Sequence, residues 1–97
     1  MLFVKTELYS PRNQKKKFLV KSFLKLKTEQ EVADFLRDLL TLPEIEEFAN
    51  RLEIARLLMR GLSYKKIADQ TGVSTTTVTR VAHWLFKGCG GYWKVLK

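Results

Sequence analysis

Apolar residues recur at spacings of three and four over most of this chain, and the residues that punctuate them have the chemistry of helix caps. The sharpest start is Thr28 with Glu31. It is a capping box, in which a hydroxyl and a carboxylate each serve a backbone N–H left open at a helix start. Val32, Phe35, Leu36 and Leu39 follow on one face and predict a helix ending near Leu40. Thr41-Leu42-Pro43-Glu44 repeats the device, with Pro43 in the first turn, where its missing N–H costs nothing. Ile45, Phe48, Ala49, Leu52, Ala55, Leu58 and Met59 then form a stripe on a longer helix that stops at Gly61, a residue able to take positive φ. Ser63 is an N-cap for a short helix over Tyr64 to Thr71, which needs packing partners to persist. Gly72-Val73-Ser74 turns the chain and delivers a second N-cap, Ser74, to a helix over Thr75 to Phe86. Gly88-Cys89-Gly90-Gly91 interrupts it, and Tyr92 to Leu96 reads as a last short helix docking on the body.

The first 27 residues are patterned differently. Met1 to Lys17 alternates briefly, turns at Ser10-Pro11 and runs into Lys15, Lys16 and Lys17, which reads as an arm. Phe18, Leu19, Val20, Phe23, Leu24 and Leu26 fit a short amphipathic helix with Lys21, Lys25 and Lys27 at its edges, a strand being the alternative over so few residues. The expected organisation is a basic arm over residues 1–27 and an all-α domain over residues 28–97, with no internal repeat.

Charge sharpens this division. The chain of 97 residues carries a net +8: residues 1–27 hold +7, residues 28–60 hold −4, and residues 61–97 hold +5. Basic ends around an acidic middle suit a polyanion met by the ends. With 45% apolar residues a core can form. A single cysteine, Cys89, allows no internal disulfide and points to a reducing compartment, so the expectation is a cytoplasmic protein. Apolar runs fall well short of the roughly 20 residues that span a bilayer, so no membrane partner is expected. One histidine and one cysteine are too few to assemble a nucleophile, base and orienting group, which argues against an enzyme; nor do they make a metal site.

Between residues 63 and 86 the spacing is that of a helix-turn-helix. Ala68 is small where the helices approach, Gly72 stands four later at the turn, and Ile67, Val73, Val78 and Val81 occupy the apolar positions that wedge the second helix on the first. With Val78 and Val81 inward, Thr75, Thr76, Thr79, Arg80 and His83 turn outward and Thr77 lies at the margin. These are candidate readers of base edges in double-stranded DNA: threonine exchanges hydrogen bonds and offers a methyl to thymine, and Arg80 can reach guanine or a phosphate. Lys65, Lys66 and the N–H groups around Ser63 and Ser74 are candidates for the phosphate backbone.

From Leu40 to Leu96 the chain resembles the Trp repressor family. The resemblance is carried by Leu40-Thr41-Leu42-Pro43-Glu44, by Asn50 to Gly61, and by Gly72-Val73-Ser74-Thr75-Thr76-Thr77-Val78-Thr79-Arg80. It implies an all-helical, intertwined homodimer that places two recognition helices in successive major grooves, and a transcriptional regulator, most simply a repressor. It also implies a candidate effector site for L-tryptophan as corepressor, formed by Thr41, Arg51 and Arg80. Two positions depart from that pattern: Val81 stands where the tryptophan-responsive repressor has glycine, and Trp84 where it has a small polar residue. The expectation is therefore a pocket filled by the protein's own side chains, with no certain cofactor and Arg51 paired to Glu47 or Glu53. The basic arm is not accounted for by the resemblance.

Two other readings remain open at this level. One assigns the helix-turn-helix to replication or recombination, and the other makes it a protein-protein adaptor, in which charge reversal at Lys65 and Lys66 leaves function intact.

Overall fold

The computed structural model describes residues 8–97 as six helices, with no strand among the described residues: α1 (Gln14–Phe23), α2 (Glu29–Leu39), α3 (Leu42–Met59), α4 (Tyr64–Thr71), α5 (Thr75–Lys87) and α6 (Gly91–Leu96). The alternating segment expected over Met1–Glu7 lies outside the described residues. The chain divides into two compact units, one over Tyr9–Glu46 and the other built on Glu47–Lys97, and the division falls within α3.

In the first unit the lysine run is helical. The sequence predicts the first helix from Phe18, but Asn13 accepts the Lys16 N–H at 2.9 Å through its side chain and starts α1 at Gln14. Asparagine is a strong N-cap, and the lysines behind it are good helix formers, so a stretch read as arm becomes the first turn of α1. Thr28 and Glu31 form the expected box at α2, the Thr28 hydroxyl accepting the Glu31 N–H and Glu31 accepting the Lys27 N–H. Phe23 meets Phe35 edge to face, with ring centroids 5.3 Å apart. Yet neither α1 nor α2 buries a single residue. Phe18 is 70% exposed and Leu24 is 82% exposed. The apolar face expected of α2 is present, with Phe35 and Leu36 half-buried and Val32 and Leu39 exposed.

The second unit has a core. Ile54, Ala55, Leu57 and Leu58 of α3, Ile67 of α4, and Val78, Val81, Ala82 and Leu85 of α5 form one buried cluster, with Leu62, Ala68, Val73, Phe86, Tyr92, Trp93 and Leu96 packed against it. Each fully buried aliphatic side chain contributes about 1.5–3 kcal/mol by leaving water. The buried face of α3 is not the one its stripe predicts. Ala55 and Leu58 are shared, but Ile54 and Leu57 complete the buried arc, while Phe48 and Leu52 stay exposed. The helix thus carries two apolar faces, one against the core and one open.

Turns set the positions of α4 and α5. After α3, the Gly61 N–H donates to Leu58 O and the Leu62 N–H to Leu57 O, a paired ending made possible by φ +86° at Gly61. α6 is held to α5 by the Trp93 indole N–H, which donates to Leu85 O at 2.7 Å.

Candidate nucleic-acid interface

Two serines and one glycine build the reading head. Ser63 Oγ accepts the Lys66 N–H and starts α4; Ser74 Oγ accepts the Thr77 N–H and starts α5, both at 3.2 Å. Between them Gly72 takes φ +77° and its N–H donates to Ala68 O at 2.9 Å, so the chain reverses within three residues. Each serine cap is worth about 1 kcal/mol. α4 and α5 pack directly on one another through Ile67 and Val78, both fully buried.

At 3.6 residues per turn, the buried Val78, Val81, Ala82 and Leu85 occupy an arc of about 100° on α5. Thr76, Arg80, His83 and Lys87 project from the opposite side, all exposed. Thr75 and Thr79, also exposed, lie on one flank, and the half-buried Thr77 and exposed Trp84 on the other. The expected readers are therefore brought onto one helix, with Thr76, Arg80 and His83 at the centre of its outward face. Lys87 was not among them, although its spacing of four from His83 and seven from Arg80 marks it as sharing that face. The Thr79 hydroxyl donates to Thr75 O at 2.9 Å, and the Ser74 and Thr77 hydroxyls lie 3.2 Å apart. Lys65 and Lys66 stand exposed in the first turn of α4, with Lys65 only 3.9 Å from Asp69 and both groups open to solvent, a pairing of little energetic weight. Trp84 is 55% exposed and meets His83 edge to face at 5.4 Å.

Of the three residues matched to an effector site, Arg51 and Thr41 are engaged locally, while Arg80 stands exposed on the outward face of α5. The Arg51 guanidinium pairs with Glu47 at 2.6 Å and lies over the Phe48 ring at 5.5 Å, so of the two carboxylates considered for it, Glu47 is the partner. Glu53 instead takes both Nε and Nη2 of Arg56. That pairing holds the Glu53 carboxyl below its usual pKa and raises that of Arg56. Thr41 is occupied with its own helix start: its N–H and hydroxyl donate to Glu44 Oε1 at 2.9 and 3.0 Å, and its Oγ1 accepts the Glu44 N–H at 3.2 Å. These bonds, the backbone one first, depress the Glu44 pKa. Partial burial raises the Tyr92 phenol, against a smaller lowering by the Arg51 charge.

This arrangement defines a small all-helical protein with a helix-turn-helix near its C-terminus. The family described as Trp repressor protein matches residues 14–97, and the chain belongs to it. It is 45% identical over 74 residues to the uncharacterized protein YerC of Bacillus subtilis, covering 76% of this chain and 71% of that protein. Among solved structures it is similar to a TrpR-like protein from Eubacterium eligens, with TM-score 0.80, 37% identity and 87% of each chain covered. It is also similar to a candidate Trp repressor from Staphylococcus aureus, with TM-score 0.80, 32% identity and 88% and 85% covered.

Proposed function

We propose that this protein is a bacterial, cytoplasmic, sequence-specific DNA-binding regulator, acting as a repressor and as a homodimer. The observation that carries the reading is the composition of α5. One side is wholly buried against α3 and α4, and the other presents Thr76, Arg80 and His83 flanked by Thr75 and Thr79. A helix so held offers hydrogen-bonding groups and one fork-shaped cation to a major groove, while Lys65, Lys66 and the α5 N-terminus at Ser74 are suited to phosphates.

Dimerisation follows from what the chain leaves uncovered. α1 and α2 bury nothing, and Val32, Leu39, Leu42, Phe48 and Leu52 stay exposed along α2 and α3. So much apolar surface on regular helices supports an interface with a second copy. The reading gives no role to L-tryptophan. Arg51 is held by Glu47 and Phe48, Thr41 by Glu44, and bulky Val81 and Trp84 replace smaller residues at the positions where the resemblance puts the ligand.

The test is selection of binding sites from random duplex DNA by the purified protein, with and without L-tryptophan, repeated with Arg80→Ala. The expected result is an enriched palindromic motif that does not depend on tryptophan and is weakened or relaxed by the substitution. A motif that requires tryptophan overturns the effector-free reading. Enrichment of no motif, with salt-sensitive binding alike for both proteins, overturns the specific regulator.

A further inference from the structure

Residues 12–27 hold seven Lys or Arg and no Asp or Glu, and the next acidic residue is Glu29. On α1 these cations are ordered. Lys17 and Lys21 lie one turn apart on the same side, and Lys25 continues the spacing just past the helix, its N–H bonded back to Ser22 O. Phe23, which meets Phe35, is turned about 120–160° away around the helix from the two lysines. All three lysines are exposed and, among the described residues, none is in an ion pair. Three of the acids in this unit serve other groups: Glu31 the start of α2, Asp34 Gln30, and Glu44 Thr41. A merely solvated helix face usually mixes both signs; this one has been kept to one.

We propose that Lys17, Lys21 and Lys25 form a second DNA-contacting surface, separate from the helix-turn-helix, that holds the sugar-phosphate backbone without reading sequence. Three cations over about 12 Å of helix axis match the regular, closely spaced charge of a duplex backbone. A lipid headgroup layer is the less suited polyanion, because the exposed Phe18, Leu19 and Val20 spread over about 200° of the short α1, with Lys15 and Lys16 between them, and make no single apolar face for acyl chains. The proposal rests on the reading that the protein acts on DNA, and the experiment separates the two.

The full chain is compared with Lys17→Gln/Lys21→Gln/Lys25→Gln and with the arginine triple, Lys17→Arg/Lys21→Arg/Lys25→Arg. Glutamine and arginine keep helix propensity close to that of lysine. Affinity is measured from about 50 to 200 mM salt for the duplex enriched by selection and for a scrambled duplex of equal length. Circular dichroism and sedimentation check fold and assembly.

The expected result is that the glutamine triple weakens both duplexes by the same factor, leaves their affinity ratio unchanged, and flattens the salt slope by about three per protomer. The arginine triple binds like the parent. An unchanged slope for the glutamine triple overturns the proposal, as does a changed ratio, which would make these lysines part of sequence reading. Parent protein that binds neither duplex at low salt overturns the DNA reading along with it. Loss of binding to phosphatidylserine vesicles in the glutamine triple, with the DNA slope intact, overturns it in favour of a membrane surface.

Discussion

Replacing Gly72 by alanine tests how the reading head is made. Gly72 has φ +77° and ψ 7°, and a Cβ built there meets nothing within 4 Å, so the substitution introduces no clash. What it introduces is a side chain in the left-handed region, which costs about 1–2 kcal/mol. Alanine also restricts the unfolded chain, returning about 0.4–1 kcal/mol. The expected net loss is therefore about 1 kcal/mol, or a fall in Tm of about 4–8 °C for a domain of this size. Asparagine tolerates this region better, and Gly72→Asn should recover a substantial part of the loss. The assay is thermal unfolding followed by circular dichroism at one fixed protein concentration, since the proposed assembly would make Tm concentration-dependent. A Gly72→Ala protein as stable as the parent, or more so, would refute the claim that backbone conformation at this residue sets the turn.

Three further outcomes follow from the same geometry. Gly88→Ala should destabilise more than Gly72→Ala although φ at Gly88 is negative, because its Cβ would lie 2.2 Å from the Trp84 carbonyl oxygen, which no side-chain rotation can relieve; comparison of the two melting curves checks this. Leu52→Asp places a charge on the open apolar face of α3. Leu52 is 39% exposed, so covering it contributes about 0.6–1.2 kcal/mol per protomer, and a homodimer carries the substitution twice; the dissociation constant of the proposed dimer should rise by at least about sevenfold to fiftyfold in sedimentation, with helix content retained. Tyr92 should ionise above its ordinary value of 10.0, because burial favours the neutral phenol over the smaller pull of Arg51. Its contribution to stability is then complete below that value and is lost as pH rises through the higher folded-state midpoint, which the difference in tyrosinate absorbance between parent and Tyr92→Phe will show.

The helix-turn-helix was legible because its constraints are local. Ser63, Gly72 and Ser74 act on backbone groups within four residues, and Ile67, Val78 and Val81 are wedged by steric needs that spacing alone reveals. The family, too, could be read from Leu40 onward, and the match begins earlier, at residue 14. Less was visible where a choice depended on distant packing. The start of α1 turned on one asparagine cap, hidden behind a lysine run that suggested an arm. On α3 the visible stripe was real, but it named the open face as much as the buried one; Ile54 and Leu57 join the core because α4 and α5 happen to lie on their side. Glu47 stands four residues from Arg51 and Glu53 only two, so on a helix Glu47 shares the side of Arg51 and Glu53 does not, and Glu53 pairs with Arg56 three residues on.

The bond from the Thr79 hydroxyl to the Thr75 carbonyl bears on the alphabet that α5 can read. Having given its hydrogen to the helix, that oxygen retains only lone pairs, and beside them stands a methyl group. In a major groove such a surface can accept from the amino groups of adenine and cytosine and lie against the methyl of thymine, but it has no hydrogen to give to the O6 or N7 of guanine. On the proposed DNA reading, while that bond lasts the base pair opposite Thr79 would be chosen by what it donates, with guanine edges left to Arg80.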